Sequence, residues 1–243
     1  MIRHLPNAIT LLNLLCGVWA IHALYNGQVQ DAIGLIGIAA LFDFFDGMAA
    51  RMLQVASPIG KDLDSLADMV SFGVFPGLLL SEQLRLHTAD ASADSWSSYL
   101  YLIAYLIPAA SALRLAKFNH DTRQSDGFIG LPTPANTLII CALVWINQQP
   151  MHWFFIINSE ITLTIPFSVW LFLALYLPWM LNSEIRLLAL KFKTWAWKSN
   201  SYRYGFFISS LPLLILGSHG FALILLNYLL WSFIYNWQHS ASS

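Results

Sequence analysis

The sequence predicts an all-α, polytopic membrane protein of about eight transmembrane helices, six forming a core and two following it. Three observations carry this reading. Only 10% of the 243 residues are charged, against about 25% in soluble domains, and the mean hydropathy is +0.59. Apolar runs recur at 8–24, 32–42, 99–113, 137–146, 161–181, 206–216 and 221–235, and crossing a bilayer takes about 20 residues of helix. The basic residues also fall overwhelmingly on one side of the predicted spans.

The spans are 7–25, 31–51, 63–80, 98–115, 133–145, 161–181, 205–216 and 221–235. The first resembles a secretory leader, but its apolar part is too long and no small-residue cleavage site follows, so it is retained as a helix. The second and third are interrupted by acids. Of the remainder, 148–157 stays open between loop and membrane entry. The basic, aromatic stretch 182–205 suits an amphipathic segment on an anionic leaflet. This places a core at 1–193 and a two-helix extension at 194–243.

Alternating loops put Arg3, Arg51, Lys61, Arg114, Lys117, Arg123, Arg186, Lys191, Lys193, Lys198 and Arg203 on one side, and only Arg85 on the other. The positive-inside rule then places both termini and the 51–62 loop in the cytoplasm. A net charge of −1 offers no basic stripe for nucleic acid. Cys16 and Cys141 lie in apolar runs and read as small buried hydrophobes.

The informative stretch is DFFDGMAARMLQVASPIGKDLDSLAD, from Asp43 to Asp68. Asp43, Asp46, Gly47 and Ala50 share one helical stripe, with Arg51 one turn beyond Gly47; Gly60, Asp64 and Asp68 share another. Ser57, Pro58 and Gly60 mark a turn between them. The two stripes therefore face each other, and four carboxylates converge. Charges near a membrane are expensive, and Arg51 and Lys61 sit too far toward the loop to offset all four. A divalent cation would do so, and a donor set of hard oxygens favours Mg²⁺ or Mn²⁺, with Ca²⁺ a third option, over Zn²⁺. Two such ions suit phosphoryl transfer. Gly47, Ala50 and Gly60 leave room for a flat group to approach the backbone, and Arg51 supplies a fork for phosphate. A cation transporter would carry polar residues deep in several helices, and a membrane prenyltransferase would carry two acidic motifs far apart. Here the acids form one cluster near one face.

These residues spell D-x2-D-G-x2-A-R-x8-G-x3-D-x3-D without a gap. The pattern resembles the CDP-alcohol phosphotransferase family. The stretches LDSLADMVSFGVFP (63–76), PNAITLLNLLCG (6–17), ALRLAKFN (112–119) and FIGLPTPA (128–135) are similar to its phosphatidylserine synthase branch. The glycerol-phosphate branch usually reads closer to LDPxADK, where this chain has Ser65 and Met69. MLNSEIR (180–186) departs slightly from the branch's usual LMxSxxR but keeps Ser183 and Arg186.

The resemblance implies transfer of a phosphatidyl group from CDP-diacylglycerol to the hydroxyl of L-serine, giving phosphatidylserine and CMP. Another acceptor (glycerol 3-phosphate, inositol phosphate, choline) or an archaeal lipid donor is the alternative. It implies that Asp43, Asp46, Asp64 and Asp68 hold metal, that Asp68 is the general base, and that Gly47, Ala50, Arg51 and Gly60 line the CDP site. Asn7, Thr10 and Asn13 share a face and would reach the pyrophosphate, or else serve as an N-cap and interhelical contacts. Arg114 would neutralise the serine carboxylate or a phosphate, or else anchor the helix end. The resemblance further implies a homodimer among membrane lipids.

Overall fold

The computed structural model describes residues 4–55, 57–88, 96–120, 128–148, 164–187 and 197–240. Their order is α1 (Leu5–Tyr25), α2 (Val29–Leu53), α3 (Pro58–Asp68), a π-helical segment (Met69–Val74) and α4 (Phe75–His87). A 3₁₀ stretch (Trp96–Tyr105), α5 (Leu106–His120), β1 (Phe128–Ile129), α6 (Thr133–Gln148), α7 (Phe167–Asn182) and β2 (Arg186–Leu187) follow. The described chain closes with α8 (Trp197–Ser210), a 3₁₀ turn (Pro212–Leu216) and α9 (Gly217–Ser240). The fold is all-α, as the apolar runs required; the two-residue strands form one small antiparallel ladder that the sequence did not announce.

Helix occurs in every predicted span, with different bounds. Among the described residues, four helical stretches are long and apolar enough to cross a membrane: Leu5–Tyr25, Val29–Leu53, Pro58–His87 and Trp96–His120. Phe167–Asn182 and Leu223–Asn236 are shorter apolar helices. The span expected at 161–181 begins its helix only at Phe167, because Pro166 holds an extended conformation (φ −69°, ψ 154°) as its N-cap. The span at 205–216 is broken: α8 ends at Ser210 and Pro212 opens a 3₁₀ turn. Of 148–157, only Gln148 is described, at the end of α6; the rest of that stretch, and residues 188–196 of the basic segment, lie outside the described residues.

Local chemistry sets the boundaries that matter for the site. α2 ends where Gln54 turns left-handed, with φ 54°. Ser57 then caps α3, its Oγ accepting from the Gly60 amide at 3.0 Å, and Pro58 occupies the first turn. α3 does not continue as a regular helix. Pro76 lacks an N–H and its ring would press on the carbonyl four residues back, that of Phe72. The chain relaxes into π geometry before Pro76, and the Phe72 carbonyl accepts instead from Thr137 Oγ1 on α6 at 3.0 Å.

Pro58–His87 is the most buried of the four long stretches. Phe72, Phe75, Leu79, Leu80 and Leu84 are fully buried. α1 packs on α2 and on the π segment through a stripe of Pro6, Thr10, Asn13, Gly17, Ala20 and Ala23. The fit is closest at Gly17, where an added Cβ would lie 2.3 Å from Ser71 Oγ. α5 meets α4 where Gly77 accommodates Pro108. Cys16 and Cys141 are buried free thiols, as read from their apolar settings.

Candidate active site

Three of the four acids converge, and Asp46 stands outside the close group. Asp43 on α2 and Asp64 and Asp68 on α3 place carboxylate oxygens within 4.8 Å of one another. Asp46 lies one turn beyond Asp43 and is 5% exposed, with Oδ2 buried and unpartnered. Asp68 is the most buried member of the close trio. Charges at this separation repel by roughly 3 kcal/mol per pair at an effective dielectric of about 20. Among the described residues no Lys or Arg forms an ion pair with any of them; the ion pair that is seen, Arg85–Glu82 at 2.7 Å, lies on α4. Clustered hard oxygens, an orphaned Asp46 oxygen and carboxylates without an ion-paired Lys or Arg among the described residues fit a divalent cation.

A cavity of about 290 Å³ adjoins the acids, lined by Pro6, Asn7 and Thr10 of α1, Asp46, Gly47 and Ala50 of α2, and Val55, Ser57, Gly60, Lys61 and Asp64. Small residues make it possible. A Cβ at Gly60 would lie 3.1 Å from Ser57 Oγ and 3.2 Å from Asn7 Oδ1, closing the gap between α1 and α3.

The scaffold also reaches the acids from behind. Asn13 Nδ2 donates to Asp68 Oδ1 at 3.4 Å, and Ser71 Oγ donates to the Asn13 carbonyl at 3.1 Å. Asn13 is fully buried and its Oδ1 has no partner.

Against this geometry, the CDP-alcohol phosphatidyltransferase family model matches residues 3–170. The chain belongs to that family. The CDP-diacylglycerol–serine O-phosphatidyltransferase of Bacillus subtilis (strain 168) is 39% identical over 132 residues, covering 54% of this chain and 70% of the relative. The enzymes of that name from Mycobacterium leprae (strain TN) and Methanocaldococcus jannaschii are 35% and 36% identical over 152 and 140 residues, covering 60% and 56% of this chain. The match spans 48% of the mycobacterial protein and 59% of the archaeal one. In this family member the matched region ends inside α7, so α8 and α9 lie beyond it.

Of the candidate residues read from the motif and the first helix, Asn7, Thr10, Asp46, Gly47, Ala50, Gly60 and Asp64 line one cavity. Asp43 and Asp68 complete the acidic cluster at its inner end. Arg51 does not line the cavity; it is exposed, with its guanidinium 3.9 Å from the Cβ position of Gly47. Arg114 also lies elsewhere. It is 7% exposed, and its Nη1 donates to the carbonyls of Ile129 at 3.0 Å and Leu181 at 2.9 Å. This guanidinium ties α5 to the end of β1 and to the end of α7. Lys117, by contrast, is exposed.

The sequence reading passed over two features. Lys61 lines the cavity, nearer the acids than its place toward the loop suggests, and its Nζ donates to the Asn119 carbonyl on α5. Its place one turn before Asp64 was the available signal. Neither α1's N-cap, His4, which makes no side-chain cap bond, nor spacing alone showed that Asn13 would bond to Asp68.

Proposed function

We propose that the chain transfers the phosphatidyl group of CDP-diacylglycerol to the hydroxyl of L-serine, releasing CMP. The observation that carries this reading is the carboxylate cluster at the inner end of a cavity walled by small and polar residues. The names of the relatives supply the acceptor.

In this mechanism Asp43, Asp46, Asp64 and Asp68 would hold Mg²⁺ or Mn²⁺, with two ions expected. Bound there, the metal supplies positive charge against the diphosphate and the departing CMP. Asn7, Thr10, Gly47, Ala50 and Gly60 receive the cytidine and diphosphate, the small residues letting the nucleotide approach the helix backbones. Lys61 on the cavity wall and Arg51, outside it beside Gly47, meet phosphate oxygens. Asp68 accepts the proton of the serine hydroxyl as its oxygen bonds to the phosphatidyl phosphorus and the bond from that phosphorus to CMP breaks. Asn13 fixes one Asp68 oxygen, leaving the other to face the hydroxyl. A carboxylate is a weak base, so most of the rate comes from positioning and from stabilised charge.

The proposal sets the site and both termini on the cytoplasmic side of the membrane, where L-serine and CMP exchange with solvent. The acyl chains leave sideways between helices, and the protein works as a homodimer. It treats 1–193 as the working core and 194–243 as an extension of it.

CMP release from CDP-diacylglycerol, measured with and without L-serine, tests the reading. Release that needs L-serine supports it. Release driven equally by glycerol 3-phosphate, inositol phosphate or choline would replace the acceptor.

A further inference from the structure

We infer that the head group of the amino-acid acceptor is recognised by Ser111, Asn136 and Asn182, three side chains on α5, α6 and α7 grouped around the π segment that follows Asp68. This rests on the proposed reaction and adds the residues that choose the acceptor.

The observation is a set of buried polar atoms without partners. Ser111 Oγ, both amide atoms of Asn136 and Oδ1 of Asn182 are buried and unpaired. Ser111 and Asn136 are 0% exposed. Buried polar groups are nearly always paired, and leaving them unpaired costs stability, so such a set calls for an explanation.

Their place in the fold supplies one. Ser111 Cβ lies 3.2 Å from the Cβ position of Gly73 in the π segment, and Met69, the residue after Asp68, reaches the same point at 3.0 Å. Thr137, next to Asn136, donates to the Phe72 carbonyl. Asn182 Nδ2 donates to the carbonyl of Ala110, next to Ser111, at 3.0 Å. Arg114, one turn beyond Ser111 on the same buried stripe, holds the ends of β1 and α7 in this arrangement.

The unpaired set also has a definite chemistry. Asn136 offers one acceptor and one donor, Asn182 an acceptor, and Ser111 a hydroxyl that does either. A zwitterionic head group needs acceptors for its ammonium and donors for its carboxylate, with no net counter-charge. A dianionic phosphate would instead need cations, and the Nη1 of Arg114 is engaged by carbonyls. α5 and α6 both pack on the π segment, which brings these polar groups to the helix that carries Asp68.

The test uses the full-length enzyme with Ser111→Ala and Asn136→Leu. For each variant, KM for L-serine and KM for CDP-diacylglycerol are measured separately, alongside the thermal unfolding midpoint. Losing one such contact raises KM for L-serine about tenfold or more, while KM for CDP-diacylglycerol stays within about twofold. The midpoint holds or rises, because an unpaired buried group has been removed. Ser111→Ala deletes a single oxygen and stays informative if Asn136→Leu fails to fold. An unchanged KM for L-serine in Ser111→Ala, or an equal rise for both substrates, overturns the inference. Wild-type CMP release that ignores L-serine would instead overturn the proposed reaction, before any variant is made.

Discussion

Gly17→Ala tests how closely α1 must approach the base. The new methyl group would sit 2.3 Å from Ser71 Oγ and 3.0 Å from Ser71 Cα. The hydroxyl can rotate away, but the Cα cannot. Restoring ordinary contact requires α1 and the π segment to separate by roughly 1 Å, and forced overpacking of this kind costs about 1–3 kcal/mol. The same interface carries the bond from Ser71 to the Asn13 carbonyl, at 3.1 Å, and the bond from Asn13 to Asp68, already long at 3.4 Å. A shift of about 1 Å breaks the second and mis-aims the carboxylate, and misplacement on that scale costs about 100-fold in turnover. The assay is CMP release with both substrates saturating, together with an unfolding midpoint. Gly34→Ala is the control, since nothing lies within 4 Å of the added Cβ; there the helix gains up to about 1 kcal/mol from the better helix former. Ser71→Gly added to Gly17→Ala removes the two side-chain clashes and recovers part of the loss. A Gly17→Ala protein with turnover within twofold of wild type and an unshifted midpoint would show that α1 and the π segment are not packed this tightly.

Three further outcomes follow from the same geometry. Asp68→Asn lowers turnover by about 10²–10⁴-fold while CDP-diacylglycerol still binds, read by equilibrium binding beside single-turnover kinetics; near-normal turnover would remove Asp68 as the base. Chelation stops the reaction, Mg²⁺ or Mn²⁺ restores it, and Asp43→Ala needs far more metal for half-activation, as a metal titration of CMP release will show. Gln54→Gly raises stability by up to about 1 kcal/mol, because Gln54 is a non-glycine residue at φ 54°; the unfolding midpoint is the readout, and a lower midpoint would place the strain elsewhere.

The acidic site was legible because the helical repeat and the chain order suffice to build it. Asp43 with Asp46, and Asp64 with Asp68, share faces by arithmetic. Ser57-Pro58 then starts a second helix only a few residues after the first ends, and α1, packed on both, completes the convergence. The small residues that wall the cavity followed from the same phase. What the sequence left dark depends on partners far along the chain. Arg114 reads equally well as a ligand or an anchor until Ile129 and Leu181 are seen to offer their carbonyls. Asn13 could not be tied to Asp68, 55 residues away, by any local rule. The π segment is a compromise between Pro76 and the packing of its neighbours, and helical spacing has no vocabulary for it. Helix lengths went astray at Pro166 and Pro212, where hydropathy continues across a break in backbone hydrogen bonding.

The placement of Asp68 follows from the change of character along one helix. From Pro58 to Asp68 the surface alternates, with Ile59, Lys61, Asp62 and Leu66 exposed and Ala67 and Asp68 buried. Beyond it, Ser71, Phe72, Gly73, Phe75, Pro76 and Gly77 are all buried, and the helix is enclosed by α1, α5 and α6. Asp68 is therefore the last acid before the core closes. Asp64, one turn earlier, lines the cavity that would take the nucleotide. Asp68 belongs to the acidic cluster and is followed directly by the π segment, on which α5 and α6 pack. A base that takes a proton from one substrate while the other is held in front of it must stand between the two, and position 68, at the join of α3 and the π segment, suits that role.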